Sequence, residues 1–132
     1  MEVNIPEIVA EVEAAFRAYE EALITNDVEA LDALFWNSAE VVRYGPAECL
    51  YGQAEILAFR KARPPQGLAR TLTRTVITTF GRDFATASTE FVRVGVAKIG
   101  RQSQTWARLP EGWRVVAAHV SLMDMPGSTQ GG

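Results

Sequence analysis

Near residue 70 the apolar residues of this chain change their spacing from a helical period to a strand period. Upstream, Ile5, Ile8, Val9, Val12, Phe16, Tyr19 and Leu23 recur at steps of three and four. That spacing predicts one amphipathic helix over residues 6–24. Pro6 suits its first turn, where a missing N–H costs nothing. Downstream, residues 71–80, 84–98, 101–109 and 113–124 are β-rich, and 81–83, 99–100 and 110–112 read as turns. Successive strands joined by short turns pair as antiparallel hairpins. Helices ahead of strands imply an α+β fold, with the helices packed on one face of the sheet.

The remaining elements are short. Asn26 and Glu29 make a capping box for a second helix with Leu31, Leu34 and Phe35 on its face, ending before Asn37. Residues 40–45 read as a strand. Gly52 opens a third helix that stops near Pro64 and Pro65. Ile56, Phe59 and Arg63 are placed on its inner side. A chain of 132 residues suits one domain, expected over 1–125, with a flexible tail at 126–132.

Composition removes several function classes. The net charge is −3 and no basic run occurs, so nucleic acid is excluded as a partner. Cys49 is the single cysteine and His119 the single histidine, which rules out a structural zinc site. Neither a GxGxxG nor a Walker pattern is present, so no nucleotide cofactor is expected. The N-terminus lacks a signal-peptide core and no apolar run reaches membrane-spanning length. The expectation is a cytoplasmic protein that needs neither metal nor cofactor.

Several polar residues sit where apolar ones are expected. Tyr19 lies on the apolar face of the first helix, beside Phe16 and Leu23. It is either a core tyrosine bonded to a carbonyl or a proton donor tuned by a nearby cation. If Val41 faces the core, alternation turns Arg43 inward too. Buried arginine needs an anion, here either a ligand carboxylate or Glu40, Glu48 or Glu90. Arg63 holds a second carboxylate or caps its own helix. Gln104 and Trp106 share a strand face with Gln102 and Arg108. They offer an amide and an apolar wall to a urea-like ligand, or else belong to a subunit interface. Trp113, Val115, Ala117, His119 and Ser121 share another face, which lines either the pocket or a dimer contact. Glu90 is expected to pair with Arg43 or Arg93.

The closing strand GWRVVAAHVS resembles the GWxIVxxHxS ending of the ketosteroid-isomerase and nuclear-transport-factor superfamily, and the element order is similar. The strings LFW (34–36), RYG (43–45), LYG (50–52), FRKAR (59–63), GRDFA (81–85), EF (90–91) and GRQSQTW (100–106) together resemble a narrower branch. That branch contains oxalurate-catabolism accessory proteins and the dicarboxyurea decarboxylase of bacterial s-triazine degradation. The resemblance implies a cone-shaped fold whose curved, mainly antiparallel sheet and first helix enclose a pocket. It implies a homodimer through the convex face and association with an amidase-signature hydrolase. It implies a cofactor-free decarboxylase of a small ureido dicarboxylate such as 1,3-dicarboxyurea, with Tyr19 and Arg43 catalytic. Arg63, Gln104, Trp106 and His119, read from their positions rather than from the resemblance, are the accompanying candidate substrate contacts. The alternative is a non-catalytic binder of small anions that assists an amidase.

Overall fold

The computed structural model describes residues 1–126. Three helices, α1 (Pro6–Ile24), α2 (Val28–Leu34) and α3 (Gln53–Ala62), accompany six strands. The strands are β1 (Val42–Tyr44), β2 (Cys49–Tyr51), β3 (Thr71–Phe80), β4 (Phe84–Val92), β5 (Lys98–Leu109) and β6 (Gly112–Asp124). They form one sheet in the order β2-β1-β6-β5-β4-β3. All neighbours are antiparallel except β1 and β6, which run parallel. The tail expected at 126–132 lies outside the described residues apart from Pro126.

The α1 stripe buries Ile8, Val12, Phe16, Tyr19, Ala22 and Leu23. These pack against the concave side of the sheet, where Ala85, Ala87, Trp106, Trp113, Val115 and Ala118 complete one core. The second helix is capped by Asp27, whose side chain accepts from the Ala30 N–H. Asn26, expected as the cap, instead takes a left-handed backbone with φ 53° at the turn between the helices. Asparagine tolerates that conformation, so the cap moves one residue on.

Three strand expectations are corrected. Strand β2 was not anticipated; its three residues are too few to show a period. Residues 93–97 form the β4–β5 turn, with Gly95 at φ 80°, so the run 84–98 is not continuous strand. Gly100 is not a turn residue but lies inside β5, because the Phe91 ring occupies the space a Cβ there would fill.

A bulge decides the closing strand. Thr105 opposes Ala117, but Trp106 opposes Val115, so Val116 is extra. Trp113 and Val115 face inward before it, and Ala118 and Val120 after it. His119 and Ser121 are thereby turned to the opposite face from Trp113 and Val115.

Candidate functional site

The concave side contains an arginine cluster laid on aromatic rings. Arg43 and Arg63 have their guanidinium carbons 5.1 and 5.4 Å from the Phe59 ring centre. Arg70 and Arg93 share Phe91, at 4.3 and 4.8 Å. Arg60 lies over Phe35 at 4.7 Å and Tyr19 at 5.9 Å. Stacking holds a guanidinium by its face and leaves its in-plane N–H groups available.

Among the described residues, carboxylates neutralise two of these five. Arg70 donates from Nε and Nη2 to both Glu20 oxygens, each at 2.7 Å, and from Nη2 to Gln102 Oε1 at 3.1 Å. Arg43 Nη1 donates to Glu48 Oε2 at 2.9 Å. Arg60 is 1% exposed, and none of its three nitrogens has a hydrogen-bond partner among the described residues. Burying a lone guanidinium costs several kcal/mol, on the order of the penalty for any unpaired buried ion. That cost is repaid when the group receives an anion.

The unpartnered atoms share one chemical character. Of eleven buried side-chain polar atoms without a partner among the described residues, nine are N–H donors. They belong to Arg43, Arg60, Arg63, Arg93, Gln102 and Gln104. Gln104 Oε1 is already taken by the Trp106 indole N–H at 3.1 Å, so this amide has only its NH₂ to offer. Gln102 is in the same position, its oxygen held by Arg70. A site with surplus donors and occupied acceptors suits an oxygen-rich anion.

Tyr19 is 2% exposed. Burial pushes its phenol up, but the Arg60, Arg43 and Arg70 charges outweigh this and hold it below the ordinary value of 10.0. Among the charges Arg60 acts most strongly, and an N–H contact from it to the phenol oxygen adds to the lowering, although the contact is looser than a full hydrogen bond. Tyr19 also packs on Phe35, ring centres 6.1 Å apart. A cavity of about 290 Å³ is lined by Arg43, Glu48, Phe59, Arg63, Leu68 and Arg93, among others, with Arg43 the member of it that acts on Tyr19.

Tyr19, Arg43, Gln104 and Trp106 are all buried, and Arg63 lines a cavity together with Arg43. Arg43 follows Val41 inward as alternation requires, and its counter-ion is Glu48, one of three carboxylates the sequence offers. Arg63 occupies the C-cap position of α3. Pro64 forces it into extended backbone with ψ 133°, and its Nε and Nη2 are buried without a partner among the described residues. His119 is a correction: the β6 bulge turns it outward, exposed, with Arg101, Ser103 and Ser121. Glu90 likewise faces outward, in register between Arg74 and Arg101, and does not pair with Arg43 or Arg93.

Arg60 was missed, although a signal existed. It stands four residues after Ile56, and both are buried on α3. Arg93 had no sequence signal, because it follows β4 directly and owes its position to the turn. No group of three or more potential metal ligands occurs among the described residues. No helix among the described residues is long and apolar enough to cross a membrane.

The chain belongs to the AtzH-like family, whose pattern matches residues 1–126. It is similar to a protein of unknown function from the DUF3225 family of Pectobacterium atrosepticum. That crystal structure is 61% identical with a TM-score of 0.91, over 92% of this chain and 95% of that one. A cystatin-like fold protein from Burkholderia xenovorans is 58% identical, TM-score 0.92, over 96% and 99%. A nuclear transport factor 2-like superfamily protein from Salmonella enterica is 25% identical, TM-score 0.73, over 96% and 98%. No curated protein matches the chain. The architecture is thus the nuclear transport factor 2-like one that the closing strand suggested.

Proposed function

We propose that this member of the AtzH-like family is a cofactor-free decarboxylase of a small ureido dicarboxylate such as 1,3-dicarboxyurea, acting in s-triazine breakdown. The observation that carries the reading is a buried phenol beside a buried arginine that has no carboxylate of its own. In the step, the bond between a urea nitrogen and its carboxyl carbon breaks. The electron pair stays on nitrogen, delocalised into the urea carbonyl, and CO₂ departs. Tyr19 gives its proton to that nitrogen, and the phenolate regains one from water. The neighbouring guanidinium groups favour that phenolate, which makes Tyr19 a stronger acid than a free phenol.

Arg60 is assigned to the carboxylate that stays, or to the urea oxygen. An arginine on the departing carboxylate would stabilise the ground state most, since that charge vanishes in neutral CO₂. The leaving group therefore belongs against apolar surface rather than against a guanidinium. Arg43 enters in a revised role. Glu48 already neutralises it in part, so it shapes the charge around Tyr19 and offers its free Nε rather than serving as the primary grip.

The Arg43–Glu48 pair favours a second reading, a binder of such anions that assists an amidase without turnover. Purified protein with fresh dicarboxyurea separates the two. Release of CO₂ above the uncatalysed rate, lost about 10²-fold or more in Tyr19→Phe with the fold intact, is the expected result. Full turnover in Tyr19→Phe would remove the proton-donor role, and tight binding with no CO₂ would leave the assisting role. We further infer a homodimer through the convex face, where Val76 and Phe84 are exposed; light scattering checks it.

A further inference from the structure

We propose that a second copy of this chain docks on the convex face in one register, with Glu90 of each copy paired to the partner's Arg101 across a twofold axis that runs between β4 and β5. The proposal rests on the homodimer reading above, not on the chemistry in the hollow, and names the contacts that fix it.

It starts from a carboxylate without a counter-ion. Glu90 lies directly opposite Arg74 on one side and Arg101 on the other. Opposite charges that face each other across neighbouring strands ordinarily pair. Glu90 makes no ion pair with either arginine, nor with any other group among the described residues. Arg101 instead turns its Nε to Ser121 Oγ at 3.2 Å, and Arg74 has no carboxylate partner among the described residues. All three residues are exposed and stand around a shallow hollow of about 240 Å³. The charges are thus unspent within the sheet and open outward, where a second surface can meet them.

The rest of the face suits a flat partner. Val76 and Phe84 are 50% and 44% exposed on it. Around Glu90 the outward residues are short, with Thr86 and Ser88 on β4 and Ser103 and Thr105 on β5. Short side chains let two sheets pack face to face, at about 10 Å.

Charge decides between the two simple twofolds. A homodimer interface is isologous, so what one copy offers the other receives. An axis running across the strands through Glu90 would set carboxylate on carboxylate and Arg101 on Arg101, which repels. An axis running along the strands between β4 and β5 exchanges the two, and each Glu90 then meets the partner's Arg101. Phe84 and Ala107 are opposite each other in the same pair of strands, as are Ser88 and Ser103. The same axis therefore seats the Phe84 ring on the partner's Ala107 and the Ser88 hydroxyl on the partner's Ser103. Val76, Ser88, Ser103 and His119 form one row across the sheet, so Val76 is carried to the partner's His119. One operation satisfies the charges and places a large side chain against a small one.

Light scattering and sedimentation equilibrium on the full chain test the register. The wild type should be dimeric. Glu90→Arg and Arg101→Glu should each weaken self-association about a hundredfold, because the symmetry turns one substitution into two repulsive contacts. An equal mixture of the two variants should regain dimers within about tenfold of wild-type affinity, since the facing charges are again opposite. The double variant Glu90→Arg/Arg101→Glu should self-associate in the same way. Circular dichroism of each variant checks that the fold is kept. A monomeric wild type would remove the homodimer reading and this register with it. A dimer that neither substitution weakens, or that both weaken and the mixture does not restore, would overturn the register and leave the homodimer to other contacts.

Discussion

Arg70 leads into the edge strand β3, and Arg60 lies on the helix that follows the other edge strand, β2. Both have buried side chains on aromatic rings, yet their donors are treated oppositely. Arg70 makes two bonds to Glu20 and one to Gln102. Arg60 makes none among the described residues. The first ties α1 to the sheet: Glu20 sits on α1 and Gln102 on β5, so Arg70 fastens two layers together. The second meets the Phe35 and Tyr19 rings but no carboxylate among the described residues. Burial alone therefore does not tell these two arginines apart; the presence of an internal counter-charge does.

Replacing Arg60 gives the sharpest break in that comparison. Arg60→Met should lower turnover by about 10³-fold, the scale of losing an oriented charge donor. Its stability should stay level or rise by roughly 1–3 kcal/mol, because a lone buried charge is exchanged for apolar volume. A chemical denaturation curve with loss of stability above about 1 kcal/mol would make Arg60 structural instead.

Glu20→Gln probes the other end. It strands Arg70, whose side chain is only 2% exposed, and should cost about 3 kcal/mol of stability. Ligand affinity of the folded fraction should rise, since a further uncompensated guanidinium then faces the hollow. Stability equal to wild type would show that the Arg70 link is not what holds α1 to the sheet.

Glu48→Gln is milder. Glu48 is 20% exposed in its side chain, so removing its charge should change stability by less than about 1 kcal/mol. Arg43 is released by the change, and malonate should bind roughly threefold tighter, as expected for one added charge in partly solvated surroundings. Weaker malonate binding in this variant would mean that Glu48 orients Arg43 rather than restrains it.

The smallest effect is in the pH profile. Tyr19 must be protonated to act, so kcat/KM should fall as pH rises through its depressed value, below 10. A bound dianion offsets the arginine charges and raises that value, which places the alkaline limb of kcat higher than that of kcat/KM. Tyr19→Phe should lack the limb altogether. A limb unmoved in that variant would assign it to another group.

Much of this was legible along the chain. The change of spacing near residue 70 gave the layer order, because side-chain periods of 3.6 and 2 are local properties of the backbone. Tyr19 could be placed on the inner stripe of α1 and Arg43 beside Val41 by the same periods. The closing strand was legible only as far as Val115. One extra residue at Val116 inverted everything after it, and His119 with it. No local pattern announces a bulge, since it is set by how β5 and β6 must bend around the core.

Local spacing, then, settles which side chains stand on which face of a helix or of an unbulged strand. It cannot settle which charges meet. Arg70 and Glu20 are 50 positions apart, and Arg60 is lone because no carboxylate is brought to it. Pairing of charges depends on distances a few ångströms long, which exist only after the helices have docked on the sheet.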